Sequence, residues 1–576
     1  MSVLGVHDAH DAGAAVVDNA NVIGAVNEER FTKRKNDVGF PVNSISYLLK
    51  NSDREVSKIA IPWIGGSALF ARVFPRLEVR RRLLWRKQTK KPGIARMKLT
   101  NVVFKLIQNQ RPHRIWNALG VGVGGNFLRR RFRKLGINKK LEFVEHHLAH
   151  ASSAYYPSGF KNALVITLDG AGDGLSGTVS IGENGELKRI NEFKASASLG
   201  LLYGAATLAC DLRYSEDEGK LMSLAAYSYH ENITELDDFV IYDEKKKQLV
   251  SRLGTKYEML LAERIRNSLL WKYNRETLAF AVQKHVENQV MKIVKNYIKE
   301  TKIRSIAVSG GFFSNVIVNM MINELPEVKE FFVFPHMGDG GLAMGAAYYV
   351  DYQENGRFNG KQISNVYYGQ EYSDAIIENS LKKNAKARKI DYEEIADIPA
   401  YTAELIADEN KIVLWFQGKM EYGPRALGNR SVLARPDIQE NRNEINLIIK
   451  KRPYYQPFAS TILEEDAKSL LDPYPRVSRF MTMGYKVKRQ KFNSLVAASH
   501  IDMTTRPQIL SDENGAYRQL LLKIKKKTGY GALLNTSFNK HGMPIVMSPE
   551  DALWTLENTG AKYLAIGNFF VEKRTQ

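Results

Sequence analysis

At 576 residues the chain is too long for one compact core, and 44% hydrophobic with 10% aromatic residues is ample globular material for two or more domains. It shows no apolar run of transmembrane length and no secretory signal, and its only cysteine, Cys210, excludes an internal disulfide, so the expectation is a cytosolic protein. The net charge of +21 is concentrated: Arg72 to Lys140 holds 21 Lys and Arg against one acid, Glu78, and the remainder is nearly neutral.

In chain order, "SVLGVHDAHDAGAAVVDNANVIGAVNEERFTKRK" reads as strand, turn, strand, with short apolar runs punctuated by Gly and Asp. The basic segment follows, with Trp85, Phe104, Trp116, Phe127 and Phe132 set among its cations. That interleaving suits peripheral contact with an acidic membrane leaflet through residues 72–140. Phosphate neutralisation on a nucleic acid needs the same charges, and a helical excursion packed on its own domain is the third reading. Next come "KNALVITLDGAGDGLSGTVSIGENGELKRINEF", two short strands around an Asp-Gly turn, and a long helix-periodic stretch over 255–300. "IRSIAVSGGFFSNVIVNMMINEL" is a strand entering a glycine turn and then a helix. A polar Asn/Gly-rich stretch near 351–365 marks a junction, and beyond it a second α/β unit begins. The pattern predicts an α/β protein divided into residues 1–360 and 361–576. Cys210, in "TLACDLRY", reads as a small buried side chain with no role.

"FVEHHLAHASSAYYPSGF" carries the sharpest chemistry. On a helix His146 and His150 project from one face, and His147 points about 100° away. Two imidazoles at that spacing chelate a divalent metal when carboxylates arrive from elsewhere; Asp169 or Asp173, and Asp339, stand at strand-end turns suited to this. Four glycine turns, "HDAHDAG", "LDGAGDG", "SGGFFSN" and "GDGGLAMGAA", offer backbone N–H groups to phosphate or ribose. Together they look like the actin–hexokinase–Hsp70 type of nucleotide fold with its two similar lobes. Candidate nucleotide contacts are Gly170, Gly310, Gly311, Asn315 and Gly338.

These motifs, with "DEGKLMSLAAY", "QGKMEYGPRALGNRSVLARP", "KKRPYYQPFAS", "HIDMTTRPQ" and "LNTSFNKHGMPIVMSPEDA", resemble the O-carbamoyltransferases of the nodulation and antibiotic-tailoring type over nearly the whole chain apart from the basic segment. The resemblance implies an N-terminal domain of the actin/hexokinase/Hsp70 type, similar to the tRNA threonylcarbamoyl transferases, and a C-terminal YrdC-like domain. It implies His146, His150, Asp169 and Asp339 as ligands of an iron-type divalent metal, with His147 orienting the turn. It also implies carbamoyl phosphate and ATP, with Mg, as substrates of the second domain. They would be bound there by Arg425, Asn429, Arg430, Lys450, Arg452, Arg506, Asn535, Ser537 and Asn539. Carbamoyl-adenylate would form and pass its carbamoyl group to an acceptor hydroxyl. His10 is the candidate general base on that hydroxyl, and Lys220 a candidate contact to the adenylate phosphate or acceptor. The acceptor is expected to be a hydroxyl on a sugar, glycan or lipid-linked saccharide, with nucleic acid a less favoured partner. Carbamoylation of a soluble natural product, tRNA modification and a non-catalytic membrane-associated binding protein are the alternatives. Pro453, Gln456, His541 and Met543 depart from the family pattern in the activating half, and Ser223 replaces a usual glycine. Lys451 and Lys540 stand close enough in sequence to replace lost cations in part.

Overall fold

The computed structural model describes residues 2–77, 117–228, 233–252 and 258–574, so most of the basic segment, including Trp85, Phe104 and Trp116, lies outside the described residues. The chain divides into two compact units, one of Met1–Glu28 and Asn36–Ile363, the other of Glu29–Lys35 and Ser364–Gln576. The excursion Glu29–Lys35 belongs to the second unit for identifiable reasons. Arg30 Nη2 donates to Gly423 O at 2.8 Å, Lys33 pairs with Asp551, and Phe31 packs on Met420, Ile545 and Met547.

In the first unit, β1 (Ser2–His7), β2 (Gly13–Asp18) and β3 (Asn21–Asn27) form an antiparallel meander. β4 (Val56–Pro62) and β5 (Lys140–Val144) add in parallel on the other side of β1, giving the order β3-β2-β1-β4-β5. β1 and β2 are buried along their whole length, which explains their unbroken apolar runs. The chain then repeats itself. β6 (Asn162–Gly172), β7 (Leu175–Glu183) and β8 (Glu186–Lys194) form a second meander. After a small hairpin, β9 (Ile241–Asp243) and β10 (Gln248–Val250), the strands β11 (Ser305–Ser309) and β12 (Glu330–Val333) add in parallel beside β6. The order β12-β11-β6-β7-β8 is the topology of the first sheet over again, so the expected pair of similar lobes is present as one sheet design used twice. The stretch 255–300 is two helices, Glu258–Ser268 and Arg275–Thr301. Asn274 starts the second by accepting from Thr277 N at 2.7 Å.

The helix Leu342–Asn355 packs on β1, β2, β4 and the helix His146–Tyr155. Two glycines permit the approach. A methyl group at Gly5 would lie 1.8 Å from Ala343 O, and one at Gly345 would lie 2.0 Å from Ala149 O. This close packing brings the turn that carries Asp339, just before Leu342, against the histidine helix.

The second unit is built on one eight-stranded mixed sheet. Its strands are β13 (Ile390–Glu394), β14 (Val413–Phe416), β15 (Arg430–Ala434), β16 (Ala459–Leu463), β19 (Gln508–Leu510), β20 (Ala532–Ser537), β21 (Tyr563–Ile566) and β22 (Phe569–Lys573). They run in the order β13-β22-β21-β14-β15-β20-β16-β19, with β17 (Tyr485–Lys486) and β18 (Thr504–Thr505) pairing separately. β14 shows why a central strand reads as pure hydrophobe. Val413 and Trp415 pack with Leu433, Tyr517 and Leu521 on one face, and Leu414 and Phe416 with Val432, Leu534 and Leu553 on the other. Among the described residues, no helix is long and apolar enough to cross a membrane.

Candidate functional site

The helix His146–Tyr155 leaves β5 through Glu145, whose carboxylate accepts from His147 N (3.0 Å) and Leu148 N (2.9 Å) and pairs with Arg189. An acidic cap satisfies two orphan amides and sits well at the positive end of the helix dipole. The next turns are buried almost all round, and His146 and His150 lie with ring centroids 4.7 Å apart. Asp169, at the end of β6, places Oδ2 at 3.2 Å from His146 Nε2 and 3.8 Å from His150 Nε2. Asp339 places Oδ1 at 3.4 Å from His150 Nε2 and 3.7 Å from His146 Nε2. One ligand atom from each of the four residues lies within 4.8 Å of the other three.

Supporting contacts fix the orientation of this cluster. Ser309 Oγ donates to Met337 O at 3.2 Å, so its contact with His150 Nδ1 at 3.4 Å is one it accepts. His150 thus has Nδ1 against Ser309 and its buried Nε2 directed toward the two carboxylates. Asp169 Oδ1 takes the amide of Gly311 at 3.1 Å. Gly310, at φ +106°, must be glycine, since a β-carbon there would meet Leu168 O at 2.1 Å. A β-carbon on Gly172 would strike the His146 ring at 2.1 Å. Asp173, the alternative to Asp169, is spent elsewhere: it accepts from the amides of Ile64 (3.0 Å), Gly65 (2.6 Å) and His146 (3.1 Å). His147 faces away, with Nδ1 at 3.0 Å from Thr167 Oγ1, and burial together with the neighbouring His146 lowers its pKa to about 3.

The electrostatics call for a cation. Burial opposes charge on His146, yet Asp339 and Asp169 raise its pKa to about 10; burial and Asp339 push Asp169 upward, and the facing His146 and His150 together more than offset them. Two half-buried carboxylates thus recruit a proton onto an imidazole at a position where a cation would be equally favoured. The donor set of two imidazole nitrogens and two carboxylates fits Fe(II), Mn(II) or Zn(II).

The other expected residues of the first unit divide. His10 joins the cluster, with Nε2 at 3.0 Å from Asp339 Oδ2 and Nδ1 at 3.1 Å from Asp11 Oδ2. Lys220 pairs with Asp217 at 2.8 Å. Around Gly338 a β-carbon would meet nothing within 4 Å, and at Gly170 only Leu201 and the Tyr214 hydroxyl, at 3.6 and 3.9 Å. Asn315 is committed to structure: it caps the helix Val316–Glu324 through Val318 N and exchanges hydrogen bonds with Gln283. Cys210 is buried, its thiol pushed up to about 12 by burial, which suits no nucleophile.

In the second unit a different chemistry assembles. Arg506 is held well below the usual guanidinium range by burial and then by Arg425 and Arg452; burial brings Arg425 to about 10, and burial with Arg442 brings Arg452 to about 9. Arg506 Nε is buried without a hydrogen bond. The Arg452 guanidinium lies 4.1 Å over the Phe458 ring and donates to Asn446 Oδ1 at 2.6 Å. Lys450, 3% exposed, donates to Asn539 Oδ1 (2.7 Å), Asn539 O (3.0 Å) and Ser537 O, and Ser537 Oγ donates to Asn539 Oδ1 at 2.7 Å. Among the described residues none of Arg425, Lys450, Arg452 and Arg506 has a carboxylate partner. Residues 2–348 match the carbamoyltransferase N-terminus and residues 403–573 the carbamoyltransferase C-terminus. The chain belongs to the carbamoyltransferase family.

Relatives extend the match over full length. An uncharacterized protein of Methanocaldococcus jannaschii is 34% identical over 99% of this chain and 99% of its own. The nodulation protein NolNO of Sinorhizobium fredii is 32% identical over 98% of this chain and 79% of its own. The 3'-hydroxymethylcephem-O-carbamoyltransferase of Amycolatopsis lactamdurans is 26% identical over 62% and 65%. The solved structure of T. kodakarensis HypF is 12% identical, covering 63% of this chain and 49% of its own, with a TM-score of 0.35.

Within the carbamoyltransferase, Arg430 does not hold the ligand position expected of it. Fully buried and 3.6 Å over the Phe416 ring, its guanidinium donates to the carbonyls of Gln417 (2.6 Å), Asn429 (2.9 Å) and Gln370 (3.2 Å). Asn429 is likewise engaged, donating to Lys419 O at 2.6 Å and accepting from Asn514 at 2.8 Å. Asn535 donates to Thr461 Oγ1 at 3.0 Å and leaves a buried Oδ1 without a partner. Of the departing positions, Gln456 buries an unpartnered Oε1, and Met543 serves through its carbonyl, accepting from Asn539 at 2.7 Å. Glu421 escaped notice in the sequence. Its Oε1 accepts the amides of Leu427 (2.7 Å), Asn429 (2.9 Å) and Arg430 (3.2 Å), closing the loop that carries Arg425. No residue-type pattern announces a carboxylate that acts only on backbone amides.

Proposed function

We propose that this carbamoyltransferase forms carbamoyl-adenylate from carbamoyl phosphate and ATP in its second unit and transfers the carbamoyl group to an acceptor hydroxyl at His146, His150, Asp169 and Asp339. The observation that carries the reading is the acid-free set Arg425, Lys450, Arg452 and Arg506. Like charges that are buried, as Lys450 is, or half-buried, as Arg425, Arg452 and Arg506 are, repel and lose hydration, so such a set is favoured when a polyanion joins it. Carbamoyl phosphate and a nucleoside triphosphate have the required charge and the oxygens that guanidinium groups bind in pairs. Hydrolysis of carbamoyl phosphate gives carbamate and phosphate. A carbamate oxygen then bonds to the α-phosphorus of ATP as the bond to pyrophosphate breaks.

In the first unit the acceptor oxygen bonds to the carbamoyl carbon, the bond to AMP breaks, and the hydroxyl proton needs a destination. His10 is that group in this reading: its Nε2 and Nδ1 face Asp339 and Asp11, so the hydroxyl proton passes to the Asp11 carboxylate beside His10, or to a ring nitrogen once it turns from its carboxylate toward the acceptor. Gly170 and Gly338 leave open space where a β-carbon would stand, room for the adenylate in this reading, whereas Gly310 and Gly311 are closed by Leu168 and Asp169 and give their amides to Met337 O and Asp169 Oδ1. His146, His150, Asp169 and Asp339 would hold a divalent metal, Fe(II) being our choice, and that ion would supply Lewis acidity toward the carbamoyl carbonyl. The name of the cephem relative specifies O-carbamoylation of a hydroxymethyl group. We extend the same chemistry here to a hydroxyl on a sugar, glycan or lipid-linked saccharide. The test is pyrophosphate release by purified protein given ATP and Mg(II), with and without carbamoyl phosphate. Release that depends on both substrates supports the reading. Release independent of carbamoyl phosphate, or none with Fe(II), Mn(II) or Zn(II) supplied, refutes it.

A further inference from the structure

The described ends of the basic segment build a surface that the transfer chemistry does not use. The helix Gly66–Val73, the turn Gly120–Gly124 and the helix Gly125–Lys134 pack on one another. Arg131 donates to Arg72 O at 3.2 Å, and Phe132, buried, meets the Phe40 ring at 4.9 Å. Arg72 itself is no surface cation. It is sealed in a bidentate pair with Asp8, 2.9 and 3.0 Å, with neither side chain exposed, and so anchors this face to the β1–β2 turn. Outside that anchor, Phe70, Phe74, Leu77, Leu119 and Val123 are 39% to 54% exposed. They contribute five of the seventeen exposed large hydrophobic residues among those described, from two short stretches of chain, a concentration that marks a contact surface. Arg76, Arg129, Arg130, Arg133 and Lys134 are exposed on the same elements and the residues between them, and none pairs with a carboxylate among the described residues.

We propose that this face docks the protein on an anionic lipid bilayer, the apolar side chains entering the headgroup boundary and the cations meeting acidic lipids. Charge complementarity favours an anionic partner, and the five exposed apolar side chains favour lipid over nucleic acid, whose backbone offers them no burial. The proposal is independent of the reaction above. The full-length protein is sedimented with vesicles of phosphatidylcholine alone and of phosphatidylcholine with phosphatidylglycerol. Two variants accompany it: Arg129→Glu/Arg130→Glu/Arg133→Glu, and Leu77→Ser/Leu119→Ser/Val123→Ser. Both alter exposed positions, and unchanged thermal melts confirm folding. Wild type is expected to bind only the anionic vesicles, and each variant to bind about tenfold or more weakly, as loss of several surface cations or buried apolar side chains requires. Equal binding by the variants, or no binding by wild type, overturns the proposal. Salt-steep binding to duplex nucleic acid in place of vesicles would assign the face to that partner instead.

Discussion

Asp169 and Asp173 stand four residues apart in one glycine-rich turn, and only their surroundings separate their roles. Asp173 is consumed by three backbone amides, whereas Asp169 gives one oxygen to Gly311 and turns the other to His146. Replacing Asp173 with Ala strands buried donors at about 1–3 kcal/mol each. Its expected signature is a clear fall in denaturant midpoint. Asp339→Asn and His150→Ala instead keep the fold and lose metal: elemental analysis should find one divalent ion per wild-type chain and about 10-fold or greater loss of affinity in each variant. Normal metal content in His150→Ala would remove that nitrogen from the ligand set. Glu218 gives a pH test away from the cluster. Burial raises its pKa from 4.5 to about 7, so the folded chain binds the extra proton between those values and stability falls as pH rises through them. Glu218→Gln should flatten this decline, worth at most about 3 kcal/mol, in urea titrations at pH 5 and pH 7.5.

The loop from Glu421 to Arg430 shows what one element contributes. Glu421 and Arg430 both act on backbone, one accepting amides and the other donating to carbonyls, and Arg425 rides on the loop they close. Arg430→Ala should therefore destabilise by about 3 kcal/mol or more, since it leaves several buried carbonyls unpaired. Arg425→Ala should leave the melting curve nearly unchanged and abolish activation. Thermal melts set beside pyrophosphate release separate the two, and equal stability losses would contradict this assignment. "GPRALGNRS" presents both arginines alike, because residue type reports charge and not whether a carbonyl or a ligand meets it. By contrast, the histidine pair was legible, since helical spacing dictates a shared face. The stretch read as two strands around an Asp-Gly turn has a third, β8, because Asn184 at φ 48° and Gly185 at φ 99° form a left-handed hairpin turn at "ENGE" that the reading passed over. The break at Asn274 was missed because the apolar period continues on either side of the cap.

Across the whole molecule the chemistry is separated by charge. The first unit gathers two carboxylates and two imidazoles in one cluster, and the second gathers guanidinium and ammonium groups without a carboxylate partner among the described residues; in the proposed reading these receive a cation and an anion. The doubled sheet topology was foreshadowed by glycine turns recurring at strand ends. The allotment of Glu29–Lys35 to the second unit was not, since it depends on tertiary contacts to Gly423 and Asp551. The division of labour is tested most directly without any acceptor, by following labelled carbamoyl phosphate into carbamoyl-adenylate in wild type, Arg425→Ala and His150→Ala. The account predicts adenylate from wild type and from His150→Ala, and none from Arg425→Ala. Adenylate formed by Arg425→Ala at the wild-type rate, or lost in His150→Ala alone, would contradict it.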